Sequence, residues 1–279
     1  MQFMDKDIEN TEQEKKYLLG IFIRYHRTKQ NITLNCLAND IGITKSYLSD
    51  VEHGKKYPAQ YTLHKILSSL DIEFNEDIKL KVNLQEKLKK LFEYYSFLND
   101  ESYLKLLEDI KSKHYEYSFA FLTFYIITIF DNLCRLRHFD NVKNQLSYLD
   151  KYKSFLDDYE LVSYYFLKGR YYHAIKDFDN AKKYYLLVLK QNFNDYNILG
   201  ITYCLLSTVE QYINNPIDAF YYNQQASICF KENYNTLRLL ETDVYKANIY
   251  SRIHYYRQAI KIYHRVIEHT QVDQLHDII

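Results

Sequence analysis

The chain has 279 residues, with 36 Lys plus Arg against 36 Asp plus Glu, so the whole-molecule charge does not mark it as a binder of nucleic acid or acidic membranes. Only 5 Gly and 2 Pro are present, too little turn chemistry for an all-β fold. The cysteines, Cys36, Cys134, Cys204 and Cys229, lie far apart and form no CxxC pair, which argues against a disulfide framework and a structural zinc. No signal-peptide pattern opens the chain, and its most apolar stretch, residues 119–130, is well short of the ~20 residues a membrane span needs. These features predict a cytoplasmic all-α protein without membrane attachment.

Residues 1–16 are mixed in charge and lack an apolar stripe, which predicts a mobile tail. Leu19, Phe22, Ile23 and His26 then fall at helical spacing and predict a helix over 17–29. Thr33 is placed to cap a second helix whose stripe is Leu34, Leu37, Ala38 and Ile41, and Gly42 ends it. Thr44 can cap a third helix over 45–52, with Leu48 and Val51 inward and Gly54 beyond its end. Pro58 precedes a fourth helix with the stripe Leu63, Ile66, Leu67 and Leu70. Seven bases against three acids give residues 17–70 a charge of +4, the local excess that phosphate neutralisation requires.

Short helices joined through a Gly turn suit a helix-turn-helix, and Ala38 keeps the crossing of its second and third helices close. The string Leu37-Ala38-x-x-Ile41-Gly42-Ile43-Thr44-x-x-Tyr47-Leu48-Ser49-x-x-Glu52-x-Gly54-x-x-x-Pro58 resembles the Xre/Cro/lambda-repressor family of helix-turn-helix domains. Arg27 stands where that family carries an Arg that pairs with the Glu matched here by Glu52. The resemblance implies that the third helix enters the major groove of double-stranded DNA by its N-terminal end. It places Lys45, Ser46 and Asp50 at base-facing positions, and Thr33 and Thr44 at phosphate contacts. His53, Lys55 and Lys56, in the following loop, are further phosphate candidates, though loop lysines equally suit a solvated surface. The DNA-binding domain is thus expected over 17–72 and a linker over 73–81.

Beyond residue 81 the chain repeats. The segments 137–142, 176–181, 214–219 and 254–259 each place a polar turn ahead of a small or β-branched residue that opens a helix. Their anchors, Val142, Ala181, Ala219 and Ala259, stand 39, 38 and 40 residues apart, and Tyr103 lies another 39 upstream. Gly169 precedes Ala181 by 12 residues and Ala247 precedes Ala259 by the same number. This offset resembles the tetratricopeptide repeat and predicts about five helical hairpins over 82–279, with a period longer than the usual ~34 residues. His264, Glu268 and His269 do not form an HExxH motif, and no phosphate-binding Gly loop or nucleophile elbow occurs. Neither a catalytic site, a metal nor a cofactor is expected.

A lambda-repressor-like head followed by a tetratricopeptide-like superhelix resembles the Rgg/PlcR-type regulators. That resemblance implies a homodimer responding to a short signalling peptide held in the repeat groove. The position after the small residue of each first helix points into such a groove, and here that row reads Phe92, Asp131, Arg170, Thr208 and Asn248. One turn further stand Cys134, His173, Gln211 and Ser251. The candidate peptide contacts are Asp131, Arg170, His173, Thr208, Gln211 and Asn248, with Arg170 suited to a carboxylate and Asn248 to a peptide backbone. The same polar row also suits a merely hydrated cleft. Two other readings stay open: a DNA-binding repressor whose repeats serve only dimerisation or partner docking, and a repeat adaptor that does not bind DNA.

Overall fold

The computed structural model describes residues 2–136, 139 and 141–270, with side chains over 12–135, 139 and 141–269. The described residues form fourteen α-helices and no strand. The first four are α1 (Gln2–Lys29), α2 (Leu34–Ile41), α3 (Lys45–Glu52) and α4 (Gln60–Ser69). Ten helices follow in chain order: α5 (Lys79–Ser96), α6 (Asp100–Lys111), α7 (Phe121–Phe130), α8 (Val142–Asp150), and then three hairpins, α9 (Asp158–Ala174) with α10 (Phe178–Leu189), α11 (Tyr196–Tyr212) with α12 (Pro216–Glu232), and α13 (Thr236–Arg252) with α14 (Tyr256–Thr270). The fold is all-α, as the sparse Gly and Pro imply. None of the described helices is long and apolar enough to cross a membrane.

The chain divides into two compact units. One runs to Lys87 and includes Glu108–Thr128 and Ser147–Asp157; the other holds Leu88–Leu107, Ile129–Leu146 and the chain from Asp158 onward.

In the first unit, α1 begins far earlier than residue 17, so the expected tail is helical and continuous with the first helix. Residues 2–16 contain no Gly or Pro to stop a helix. Polar contacts also fasten the end of this segment: the Gln13 amide donates to the Gly54 carbonyl at 3.3 Å, and Lys81 donates to Glu14. Further along, Leu18, Leu19, Ile21, Phe22 and Ile23 are all buried, more than one amphipathic stripe would bury. The extra burial comes from outside the helix-turn-helix. Phe22 meets Phe74 and Phe121 at ring-centroid distances of 4.5 and 5.6 Å, and Tyr25 meets Tyr148 at 4.7 Å.

The expected linker, 73–81, is held down at several points. The Asn75 N–H donates to the Tyr117 carbonyl at 2.7 Å, and Asn75 forms an isolated β-bridge with Ser118. The Tyr57 hydroxyl donates to Glu76 at 2.9 Å, Phe74 stacks edge-on against Phe119 at 5.0 Å, and α5 has begun by Lys79. The lone aromatic among acidic residues anchors the segment.

In the second unit, α9 packs on α10, α11 on α12 and α13 on α14, while α10 meets α11, α12 meets α13 and α11 lies beside α13. This is the expected stacking of successive hairpins. The anchors Val142, Ala181, Ala219 and Ala259 are all buried. The turns inside the last three hairpins pass through left-handed backbone at Lys176, Asn214 and His254, with φ of 63°, 59° and 64°. Asp177 and Asn215 then cap α10 and α12 by side-chain hydrogen bonds. A Cβ on Gly169 would sit 2.4 Å from the Tyr185 ring, so the small residue of α9 makes room for that aromatic of α10.

Candidate functional site

The helix-turn-helix is built by its caps. The Thr33 hydroxyl accepts from the Cys36 N–H at 3.1 Å to start α2, and the Thr44 hydroxyl accepts from the Tyr47 N–H at 3.2 Å to start α3. Each hydroxyl keeps its proton to donate, so a cap can also contact a phosphate oxygen. Gly42 ends α2 in left-handed backbone, φ 74°, which lets the chain reverse into α3 at no steric cost. Arg27 closes the motif from α1. Its Nε and Nη2 donate to Glu52 at 2.6 and 2.8 Å, and its Nη1 donates to the Ile32 carbonyl at 2.6 Å. The hydrogen bonds it donates to Glu52 raise the Arg27 pKa above the ordinary guanidinium value. All three nitrogens are used, so Arg27 is a structural clamp across α1, the α2 approach and α3.

The DNA candidates fall into two groups. Thr33, Thr44, Lys45 and Ser46 are exposed at the starts of α2 and α3, and Lys45 and Ser46 occupy the first turn of α3. Asp50, His53, Lys55 and Lys56 gather at its far end. Lys56 is 2.9 Å and Lys55 3.9 Å from the Asp50 carboxylate, and Lys56 also lies over the Tyr47 ring at 5.5 Å. The hydrogen bond from Lys56 holds the Asp50 carboxyl below its ordinary pKa. His53 Nδ1 lies 2.7 Å from the Ser49 carbonyl. Asp50 and Lys56 therefore occupy one another, while Lys45 makes no ion pair among the described residues and stands free in solvent.

The peptide candidates separate as well. Arg170 and Cys134 line a cavity of about 510 Å³ in the second unit, and Thr208, Gln211, Asn248 and Ser251 line another of about 480 Å³. Asp131 and His173 line neither. Asp131 is buried and bound to Arg135 at 2.6 Å. His173 packs edge-on against Phe178 and Tyr212, and its Nδ1 is 3.4 Å from the Tyr185 hydroxyl. Burial, and secondarily Arg170, lowers the His173 pKa to about 4, which keeps the imidazole neutral. Asn248 Oδ1 already accepts from the Tyr263 hydroxyl at 2.5 Å, which leaves its second lone pair and the amide N–H groups to meet a ligand.

Arg170 differs from the other cationic residues of its cavity. Arg135 is paired with Asp131, and Arg238 with Glu241 at 2.6 Å. No carboxylate pairs with Arg170 among the described residues, and its Nε is buried without a hydrogen-bond partner. The guanidinium also hydrogen-bonds Cys134, so what it has no counterpart for is its charge, which an anionic ligand would supply. Arg238, Glu241 and Tyr245 line the same cavity but stand outside the polar row that the repeat spacing predicts. Asn235 and Arg238 bring α13 onto the end of α5: the Ser96 carbonyl accepts from Asn235 Nδ2 at 2.9 Å and from Arg238 Nε at 3.0 Å, and the Tyr95 carbonyl accepts from Arg238 Nη2 at 3.0 Å. Cationic donors on the last carbonyls of a helix are favourable there. No sequence period connects positions so distant. Among the described residues no group of three or more His, Cys, Asp or Glu side chains is arranged to hold a metal ion.

Residues 23–76 match the Helix-turn-helix family. Over 72 residues the chain is 32% identical to the HTH-type transcriptional regulator SlrR of Bacillus subtilis (strain 168), a match that covers 25% of this chain and spans about half, 47%, of that relative. Among solved structures, the apo form of the competence regulator ComR from Streptococcus vestibularis superposes with a TM-score of 0.54 at 16% identity, covering 95% of each chain. Bacillus thuringiensis PlcR, solved in complex with the peptide PapR7 and DNA, is a more distant likeness, with a TM-score of 0.46 and 16% identity over 92% of this chain and 99% of that one. The chain thus carries a helix-turn-helix domain at its N-terminus and shares, along nearly its whole length, the all-α fold of the competence regulator ComR.

Proposed function

We propose that the chain is a cytoplasmic, sequence-specific transcription regulator that binds double-stranded DNA through residues 17–72 and a short signalling peptide through the repeats of 82–279. The observation that carries the DNA half is the helix-turn-helix match over 23–76, with Lys45 and Ser46 exposed on the first turn of α3. In this reading Lys45 donates to guanine O6 or N7, Ser46 reads an adjacent base edge, and Thr33 and Thr44 hold phosphates. Lys55 and His53 add phosphate contacts, and Asp50 with Lys56 shapes the end of α3. Selection from a random duplex library followed by gel-shift titration tests the reading. An enriched sequence is expected, with Lys45→Ala weakening it by about 1–3 kcal/mol; recovery of no enriched sequence overturns it.

The peptide half is supported by Arg170, which has no carboxylate partner among the described residues, in its cavity and by the polar set Thr208, Gln211 and Asn248 in the next. ComR of S. vestibularis has also been solved in complex with its cognate signaling peptide XIP. Here Arg170 takes the peptide carboxylate, and Asn248 donates to a peptide carbonyl. The wild type is expected to retain free-carboxylate peptides from a random synthetic pool, and Arg170→Ala to lose them. Equal retention by both proteins removes Arg170 from the site.

A further inference from the structure

The cavity of about 480 Å³ that Asn248 lines has no Asp or Glu among its lining residues. Two of those residues carry donors that lack an acceptor. Gln211, on α11, is buried, and its Nε2 has no hydrogen-bond partner. A buried donor left unsatisfied is costly, and a ligand acceptor removes that cost. Arg252, the last residue of α13, makes no ion pair among the described residues, whereas Arg238 on the same helix is neutralised by Glu241. Arg252 is nonetheless held in place. Its Nη1 donates to the Gln211 carbonyl at 3.2 Å, and its guanidinium lies over the Tyr212 ring at 5.3 Å. These contacts fix the guanidinium beside Gln211 before any ligand arrives, so less side-chain freedom is lost on binding.

We propose that this cavity is an acid subsite, in which Arg252 and Gln211 Nε2 take the side-chain carboxylate of an Asp or Glu in the bound peptide. The inference rests on the peptide-binding function proposed above and names the class of its ligand, an acidic peptide. One peptide then sets its terminal carboxylate on Arg170, a backbone carbonyl on Asn248 and an acidic side chain on Arg252. An ionised carboxylate only accepts hydrogen bonds and matches the planar fork of a guanidinium. A neutral amide or hydroxyl side chain leaves the Arg252 charge without a counterpart, and a Lys or Arg meets it as a like charge. Arg252 and Gln211 are thus specificity-determining residues, distinct from the Arg170 that holds the chain end.

The test uses the full chain and random-sequence octapeptide pools with free or amidated carboxyl ends, at near-physiological ionic strength so that long-range attraction is screened. Retained peptides are separated by ultrafiltration and sequenced by mass spectrometry. The wild type is expected to enrich Asp or Glu at least tenfold at one position counted from the carboxyl end. Arg252→Gln should abolish that enrichment and keep the preference for free over amidated ends, which belongs to Arg170. Arg252→Lys, which keeps the charge without the fork, should retain part of the enrichment. Arg252 is exposed, so both variants leave the core intact. Peptides retained with no such enrichment, an enrichment spread evenly over all positions, or one unchanged by Arg252→Gln overturns the acid subsite and leaves peptide binding standing. Retention of no peptide from either pool by the wild type overturns the peptide function itself, and the acid subsite with it.

Discussion

His26 is buried on α1 against Phe22, with ring centroids 4.4 Å apart, and its Nε2 has no hydrogen-bond partner. Burial, and secondarily the charge of Lys29, lowers its pKa to about 4. In the unfolded chain the imidazole titrates near its ordinary value of about 6.5. Between those two values the unfolded chain binds a proton that the folded chain refuses, so stability falls as pH drops through that window. The melting temperature should therefore be lower at pH 5 than at pH 7.5, and His26→Gln should reduce the difference. His173, lowered to about 4 chiefly by burial, supplies the same dependence in the second unit, so His26→Gln should leave part of it. An identical pH difference in wild type and His26→Gln would exclude His26 as a source.

The packing of α1 on α3 depends on one missing side chain. A Cβ on Gly20 would lie 2.4 Å from the Val51 carbonyl oxygen and 3.0 Å from the Glu52 carbonyl. These are backbone atoms, which cannot rotate away as a side chain can. The close approach also brings Arg27 to Glu52, so the clamp and the contact are one arrangement. Gly20→Ala should destabilise the protein by about 1–3 kcal/mol through overpacking. That exceeds the roughly 0.5–1 kcal/mol that Ala gains over Gly inside a helix. Urea denaturation would reveal the change as a lower midpoint; a raised midpoint would mean that α1 and α3 separate at little cost.

One helix-turn-helix head reads a few base pairs, and a two-fold dimer is the common way to double the reading. The whole-molecule expectation is a homodimer on a pseudo-palindromic site. Light scattering on the full chain should report twice the 33.9 kDa of one copy at micromolar concentration. A mass of one copy, with or without the selected DNA, would reject the dimer.

Much of this molecule is local and so was legible in the residues. The caps Thr33 and Thr44, the Gly42 turn, the Arg27–Glu52 pair and the buried anchors Val142, Ala181, Ala219 and Ala259 all obey spacings of a few residues, of a known motif or of one repeat. Helix period and capping chemistry act over such distances, and so does the register of a known motif. The polar row led to Arg170 and Asn248, each of which lines a cavity, for the same reason, because one repeat places its residues like the next. Tertiary packing decided the remainder. The second face of α1 is covered by Phe121 and Tyr148, and the end of α5 is closed by Asn235 and Arg238. Each joins residues that no period relates. Which carbonyl takes an arginine, and which guanidinium is left without a carboxylate, follows from how the helices meet in space.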